Sequence, residues 1–120
     1  MATTFRPFEG FVGARETAIT LANGANQNVV IASSFVTVLS GPTAGFSIGG
    51  IAGGNDGQIV TIWSQINQTM TVNDNDGGSS VGNKIRTSTL GNIACGGTFF
   101  SWFTVQFSTS NNTWILMGHS

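Results

Sequence analysis

Few side chains in this sequence could perform chemistry. Its 120 residues include five acids, four lysines and arginines, one histidine and one cysteine. Acid–base catalysis needs two carboxylates in different environments, and only Asp74 and Asp76 lie close together along the chain. Their surroundings of Asn, Gly and Ser are typical of a solvated turn. A loose calcium site is the alternative interpretation, although the EF-hand pattern fails because Val72 would take the first ligand position.

The remaining reactive residues also lack partners. His119 is the next-to-last residue, so a catalytic triad would have to form around a terminus that we expect to fray. Cys95 has no neighbouring base or cation to lower its pKa, and we expect it to be a buried, small apolar residue. The paired glycines at 49–50 and 53–54 lack the Gly-Lys-Ser/Thr of a phosphate-binding loop. The sequence therefore predicts no enzyme, with no catalytic residues, no cofactor and no metal ligands.

Low charge limits the possible partners of this chain. Only 8% of residues are charged, and the formal net charge is −1. This balance is too weak to attract a phosphate backbone, so nucleic acid is not an expected partner. Weak repulsion between copies favours self-association. No signal peptide and no run of 18 apolar residues is found, which predicts synthesis in a cytoplasm and no membrane partner.

The elements that must position these residues are short strands. Apolar and polar residues alternate between clusters of Gly, Asn and Asp, and no helical period competes with this alternation. Asn23-Gly24 is a hairpin signal, and the polar run 108–112 predicts a hairpin between the last two strands. We predict an all-β fold, an antiparallel β-sandwich of jelly-roll type with about eight strands and an extended N-terminal arm. The candidate runs are 18–22, 28–32, 35–39, 46–48, 58–63, 69–72, 84–87, 99–107 and 113–117.

The first residues differ from the rest of the chain. Residues 1–16 show no alternation and are interpreted as the arm, and residues 17–120 as the β-sandwich domain. Phenylalanines recur every third residue among Pro and Gly, which fits an extended segment better than a helix. These phenylalanines either cap the domain's own core or dock on a neighbouring subunit. The arm residues with a predicted contact role are Phe5, Arg6, Phe8, Phe11 and Arg15.

The aromatic run 99–107 has two faces. Phe99, Ser101, Phe103, Val105 and Phe107 would share the core face. Phe100 and Trp102 would then lie at one end of the opposite face, where a subunit interface would cover them. Trp63 could face either way. Exposed tryptophans on β-sandwiches also stack on sugars, so a glycan platform is the alternative.

A resemblance follows from the order of features in the second half. Residues 53–62 read Gly-Gly-Asn-Asp-Gly-Gln-Ile-Val-Thr-Ile, residues 83–87 read Asn-Lys-Ile-Arg-Thr, and residues 112–116 read Asn-Thr-Trp-Ile-Leu. This order resembles a β-module of bacteriophage virion proteins, found in tail fibres, appendages and small capsid-associated proteins. The resemblance covers residues 51–117 and implies a virion structural module, commonly trimeric, without enzymatic activity.

The resemblance and the compact length together favour a capsid decoration (cement) protein over a fibre, which would need a long shaft. The expected partners are further copies in a homotrimer and the major capsid protein, on the capsid surface of the virion. The alternative is a tail-associated receptor-binding module, in which Trp63, Asp74 and Asp76 contact cell-surface glycan. A lectin unrelated to phage is a third interpretation, which the composition favours and the resemblance does not.

Overall fold

The computed structural model describes residues 15–120. Within that range the chain forms strands and turns but no helix, so the all-β prediction is confirmed. There are ten strands in chain order: β1 (Glu16–Thr20), β2 (Gly24–Asn26), β3 (Phe35–Ser40), β4 (Phe46–Ile48), β5 (Ile59–Ser64), β6 (Met70–Val72), β7 (Ile85–Arg86), β8 (Ile93–Ala94), β9 (Trp102–Ser108) and β10 (Thr113–His119).

The strands form two sheets that the chain visits alternately. One sheet has six strands in the order β1-β3-β5-β9-β10-β7, and the other has four in the order β2-β4-β6-β8. From β1 to β6 each turn of the chain adds one strand to each sheet, and these strands are parallel to those of the previous turn. This part of the chain is therefore a flattened solenoid of three coils, in which each coil contacts its neighbours.

The last four strands close the solenoid. The hairpin of β9 and β10 was predicted and is confirmed, with Thr113 opposite Ser108. Strand β9 runs antiparallel to β5, while β7 lies parallel to β10 at the edge of the larger sheet. Strand β8 runs antiparallel to β6 in the smaller sheet. Strands β7 to β10 thus extend the two sheets that strands β1 to β6 form.

The expectation of an antiparallel sandwich is wrong, because five of the eight strand pairings are parallel. The jelly roll is accordingly not confirmed, and the strand count is ten instead of about eight. Alternation in a sequence predicts which side chains share a face, but it does not specify the direction of the neighbouring strand. Of the run 28–32, only Val29 pairs, in an isolated bridge with Ile51.

The predicted hairpin at Asn23-Gly24 is instead a corner, because β1 and β2 belong to different sheets. The side chain of Asn23 bonds the equivalent corner of the next coil. Its Oδ1 accepts a hydrogen bond from the backbone N–H of Thr43 at 2.7 Å, and its Nδ2 donates to Thr43 Oγ1 at 3.0 Å. Gly41, with a φ of 116°, leaves no room for a Cβ because that atom would overlap the backbone of Leu21. The corners therefore stack coil upon coil.

The core lies between the two sheets. Val60, Ile62, Phe103 and Val105 point inward from the larger sheet and are fully buried. Trp114 is the largest fully buried side chain, and its indole N–H donates to the carbonyl oxygen of Ile51 at 2.9 Å. The remaining core residues in this range are Val29, Val36, Val38, Phe46, Ile48, Ile51, Met70, Val72, Ile85, Cys95 and Phe107. Burial of such side chains is the main stabilising term, at about 1.5–3 kcal/mol each.

Most of the predicted arm lies outside the described residues. Phe5, Arg6, Phe8 and Phe11 are not among residues 15–120. Arg15 is exposed, and Glu16 already begins β1. The contacts expected of the arm stay predictions. Residues 15–120 contain no helix long and apolar enough to cross a membrane.

Candidate interaction surface

The outer face of the six-stranded sheet carries the largest side chains outside the core. In β5 and β9, burial alternates so that Ile62 and Phe103 point into the core, while Trp63 and Trp102 point outward. Trp63 and Trp102 lie directly opposite each other on these neighbouring strands. The prediction that Phe100 and Trp102 face away from the core is confirmed, since both are exposed.

Four aromatic rings contact one another on this face, and Trp102 lies opposite one of them on the next strand. We call these five residues the aromatic cluster: Phe35, Trp63, Phe99, Phe100 and Trp102. The ring of Trp63 stacks between those of Phe35 and Phe100, with centroids 6.4 and 5.9 Å away. Phe99 lies beside Phe100 at 6.4 Å. Phe100 is 68% exposed and Phe99 is 56% exposed, so the cluster presents much of its apolar area to the surface. The prediction that Phe99 belongs to the core is wrong, because β9 begins only at Trp102.

The backbone at Phe100 is held in a conformation that a bulky residue avoids. Its φ is 61°, in the left-handed region, which costs roughly 1–2 kcal/mol for a residue with a Cβ. The Phe100 N–H donates to the carbonyl oxygen of Ser64 at 2.7 Å, and the Ser64 N–H donates to that of Ser101 at 2.8 Å. Buried Ser101 also donates through its Oγ to the Thr98 carbonyl oxygen at 3.1 Å. The surrounding bonds therefore fix an exposed phenylalanine in a strained position, which is a feature of binding sites.

Two buried polar atoms on this side of the sheet have no hydrogen-bond partner among residues 15–120. They are Thr37 Oγ1 and Trp63 Nε1, and these residues lie opposite each other on β3 and β5. An unpaired buried donor costs about 1–3 kcal/mol.

The strands beneath the cluster carry no charge. None of the residues of β3, β5 and β9 is ionisable at neutral pH. Trp102 lies flat over Gly118 of the next strand, where an added Cβ would be 3.6 Å from the ring. Thr61 and Thr104 satisfy each other through a 2.8 Å bond between their hydroxyl groups. A broad, uncharged and partly aromatic sheet face of this kind is typical of protein interfaces.

The acidic loop is bound to the rest of the chain. Asp74 Oδ1 accepts from Arg86 Nε at 3.1 Å and from the Thr87 N–H at 2.8 Å, and its side chain is nearly buried. Asp76 Oδ2 accepts from Ser79 Oγ at 3.1 Å. Among residues 15–120 no group of three or more His, Cys, Asp or Glu residues lies close enough to hold a metal ion. The two carboxylates thus organise the loop.

Trp63 and the acidic loop do not form one site. Arg86, the partner of Asp74, lies on β7, which is three strands away from β5 in the larger sheet. With neighbouring strands about 4.8 Å apart, this separation is about 14 Å. A ligand that bound Trp63 and the two aspartates together would have to span that distance.

Cys95 and His119 differ in their access to solvent. Cys95 is buried, as predicted, and burial raises the pKa of its thiol from 9.0 to about 11. The thiol therefore stays protonated at neutral pH and is a weak nucleophile. The expected fraying at His119 is wrong, because this residue belongs to β10 and lies opposite Phe103. Its imidazole is exposed, with Nδ1 2.7 Å from the Ser120 carbonyl oxygen.

Sequence reasoning missed Phe35 as a member of the cluster. The alternation in 35–39 places Phe35 on the same face as Thr37, opposite the buried Val36 and Val38. That signal shows which residues share a face but not which strand lies beside them.

No protein-family model, no curated protein and no solved structure matches this chain.

Proposed function

We propose that this protein is a virion structural protein, a capsid decoration (cement) protein that binds and stabilises the assembled phage head. The observation that carries the proposal is the aromatic cluster, which lies exposed on an uncharged sheet face. Copies associate through this face into a homotrimer, with Phe100 and Trp102 at the subunit interface. The protein is made in the host cytoplasm and acts on the capsid surface without catalysis.

The energetics of the cluster support self-association. Tryptophan and other aromatic residues dominate interface energies, and truncating one at the centre of an interface costs about 2 kcal/mol or more. The backbone of Phe100 is held by a hydrogen bond to Ser64, and its ring stacks on Trp63, so less entropy is lost when a partner covers it.

Stabilisation of the shell follows from mass action. A protein that binds the assembled lattice but not its separate subunits lowers the free energy of the lattice by about 2.7 kcal/mol per site at a hundredfold excess over Kd. The predicted contacts with the major capsid protein are Phe5, Arg6, Phe8, Phe11 and Arg15. A trimer would bring three such segments to neighbouring capsomers and gain avidity.

The alternative is a tail-associated receptor-binding module that contacts glycan through Trp63, Asp74 and Asp76. Less supports it, because both aspartates accept hydrogen bonds from the chain itself and Trp63 is stacked between two phenylalanines. A glycan array would then show binding that is lost in Trp63→Ala, with shells bound weakly or not at all.

The test is the native mass by light scattering, with and without emptied phage shells. Phe100→Asn is the informative variant, because Asn tolerates the left-handed backbone and removes the exposed ring. We expect a trimer for the wild type and an approximately 30-fold weaker association for Phe100→Asn, the equivalent of about 2 kcal/mol. Val30→Ser, which removes another exposed apolar side chain away from the cluster, is the matched control and should not change the mass. A wild-type monomer that ignores shells would overturn the proposal.

The arm is tested separately by removing residues 2–14, which leaves β1 intact. We expect the shortened protein to keep its native mass and to lose binding to shells. Undiminished shell binding would exclude the arm as the capsid contact. The exposed sheet face would then be the candidate contact.

A further inference from the structure

A groove of about 500 Å³ lies at the β7 edge of the larger sheet, away from the aromatic cluster. It is open to solvent and lies within the size range of pockets that take small ligands, about 300–1,000 Å³. Its main lining residues are Lys84, Arg86, Asn75, Asn112 and Leu90. None of them belongs to the aromatic cluster.

Two cationic side chains line the groove. Residues 15–120 contain three lysines and arginines, and two of them, Lys84 and Arg86, line this groove. The ammonium of Lys84 makes no hydrogen bond or ion pair within the described range. Arg86 uses its Nε for Asp74, so its two terminal nitrogens are left to bind a ligand. Asp74 is nearly buried, and the Asp76 carboxylate accepts from Ser79.

Three of the residues that line the groove have a left-handed backbone, and in one of them, Leu90, this conformation is strained. Five non-glycine residues of the described chain have a positive φ, and three of them line the groove: Asn75 at 47°, Leu90 at 59° and Asn112 at 50°. Leucine is rarely found in this conformation, and Leu90 is also 70% exposed. Strained residues with exposed side chains cluster at ligand-binding sites. Neither Asn75 nor Asn112 uses its side-chain amide in a hydrogen bond within residues 15–120.

The strands and turns hold the lining residues in place. The carbonyl oxygen of Lys84 accepts from the Trp114 N–H at 2.9 Å and from Thr113 Oγ1 at 2.8 Å. The Asn75 N–H donates to the Ile85 carbonyl oxygen at 2.8 Å. The backbone that carries the lining residues is therefore fixed before a ligand binds.

We propose that this groove binds an acidic saccharide, a sugar that carries a carboxylate. Lys84 and the free nitrogens of Arg86 match the carboxylate, and the amides of Asn75 and Asn112 match the ring hydroxyls. Leu90 supplies an apolar surface for the C–H face of the ring. Two cations in one small groove cannot track a nucleic-acid backbone. This site does not depend on self-association. A monomeric native mass would therefore argue against the proposed decoration function but not against this binding site.

The test is calorimetric titration of the full chain at low salt with oligogalacturonate, and with neutral oligogalactose of the same length as the control ligand. We expect binding of the acidic sugar alone, weakened several-fold by raising the salt concentration because the site is open to solvent. Lys84→Gln should weaken it about 10-fold, the equivalent of about 1.4 kcal/mol. His119→Gln, at an exposed residue outside the groove, should leave the affinity for the acidic sugar unchanged.

A second variant and two further probes keep the test decisive. Asn112→Gly preserves the left-handed backbone and removes the amide, and it should also weaken binding while leaving the thermal midpoint unchanged. Equal affinity for the acidic and neutral sugars would overturn the proposal. Tighter binding of inorganic phosphate or of a polyglutamate peptide would overturn it as well, since the groove would then recognise negative charge without the sugar.

Discussion

The stacked corners of the solenoid predict different costs for an alanine at two of their glycines. Gly41 and Gly24 both have a positive φ, at 116° and 74°. A Cβ at Gly24 meets nothing within 4 Å, whereas a Cβ at Gly41 overlaps the backbone of Leu21 in the preceding coil. The free energy of unfolding of Gly24→Ala is therefore lowered only by backbone strain, about 1 kcal/mol. Gly41→Ala adds overpacking of another 1–3 kcal/mol to that strain, about 2–4 kcal/mol in total.

The assay is thermal unfolding of both variants, followed by tryptophan fluorescence. A domain of this size loses roughly 4 °C in Tm for each kcal/mol. We expect Gly24→Ala to lower Tm by about 4 °C and Gly41→Ala by about 8–16 °C. If Gly41→Ala does not fold, Asn23→Ala tests the same corner, because it removes the bonds to Thr43 and should cost about 1–2 kcal/mol. Equal losses in the two glycine variants would refute the stacking of residue 41 on residue 21.

Two further predictions concern buried ionisable groups. The pKa of the Cys95 thiol is raised by burial from 9.0 to about 11, so the neutral form is favoured in the fold, and stability should fall as the pH rises from 9 towards 11. Urea unfolding at pH 8 and pH 10.5, with Cys95→Ala as the pH-insensitive control, measures this; an equal pH response in both proteins would contradict it. Asp74→Ala should cost about 2 kcal/mol in the same assay, because the Thr87 N–H and Arg86 lose their acceptor. Asp56→Ala, at an exposed acid, is its control, and equal effects of the two would argue against the bonded role of Asp74.

The first strand leaves an open edge. Strand β1 pairs with β3 on one side, and among residues 15–120 nothing pairs with its other side. Exposed edge strands are where copies of a protein pair with one another. Glu16 is the one ionisable residue on β1, so charge alone offers little protection. The aromatic face and this open edge belong to the same sheet.

Part of this fold follows from the sequence. Alternation predicted strands at most of the places where they occur, and the polar run 108–112 predicted the hairpin between β9 and β10. The burial of Phe103, Val105 and Phe107, and the outward direction of Trp102, followed from the same alternation. Phe99 and Phe100 precede β9, and both are exposed. These features are local, since the side-chain period of two and the turn residues set them within a few positions.

The features that sequence alone left undecided depend on contacts between distant residues. Asn23-Gly24 suits a hairpin as well as a corner, and only the stacking of Asn23 on Thr43 shows that the strands on either side enter different sheets. Phe35, Trp63 and Phe100 form one cluster because β3, β5 and β9 become neighbours. Lys84 and Asn112 line one groove because β7 lies beside β10. The sequence by itself determined the strands and their faces, because both are set locally. Only the tertiary structure decided which strands lie side by side, because pairing depends on how the whole chain buries its apolar faces.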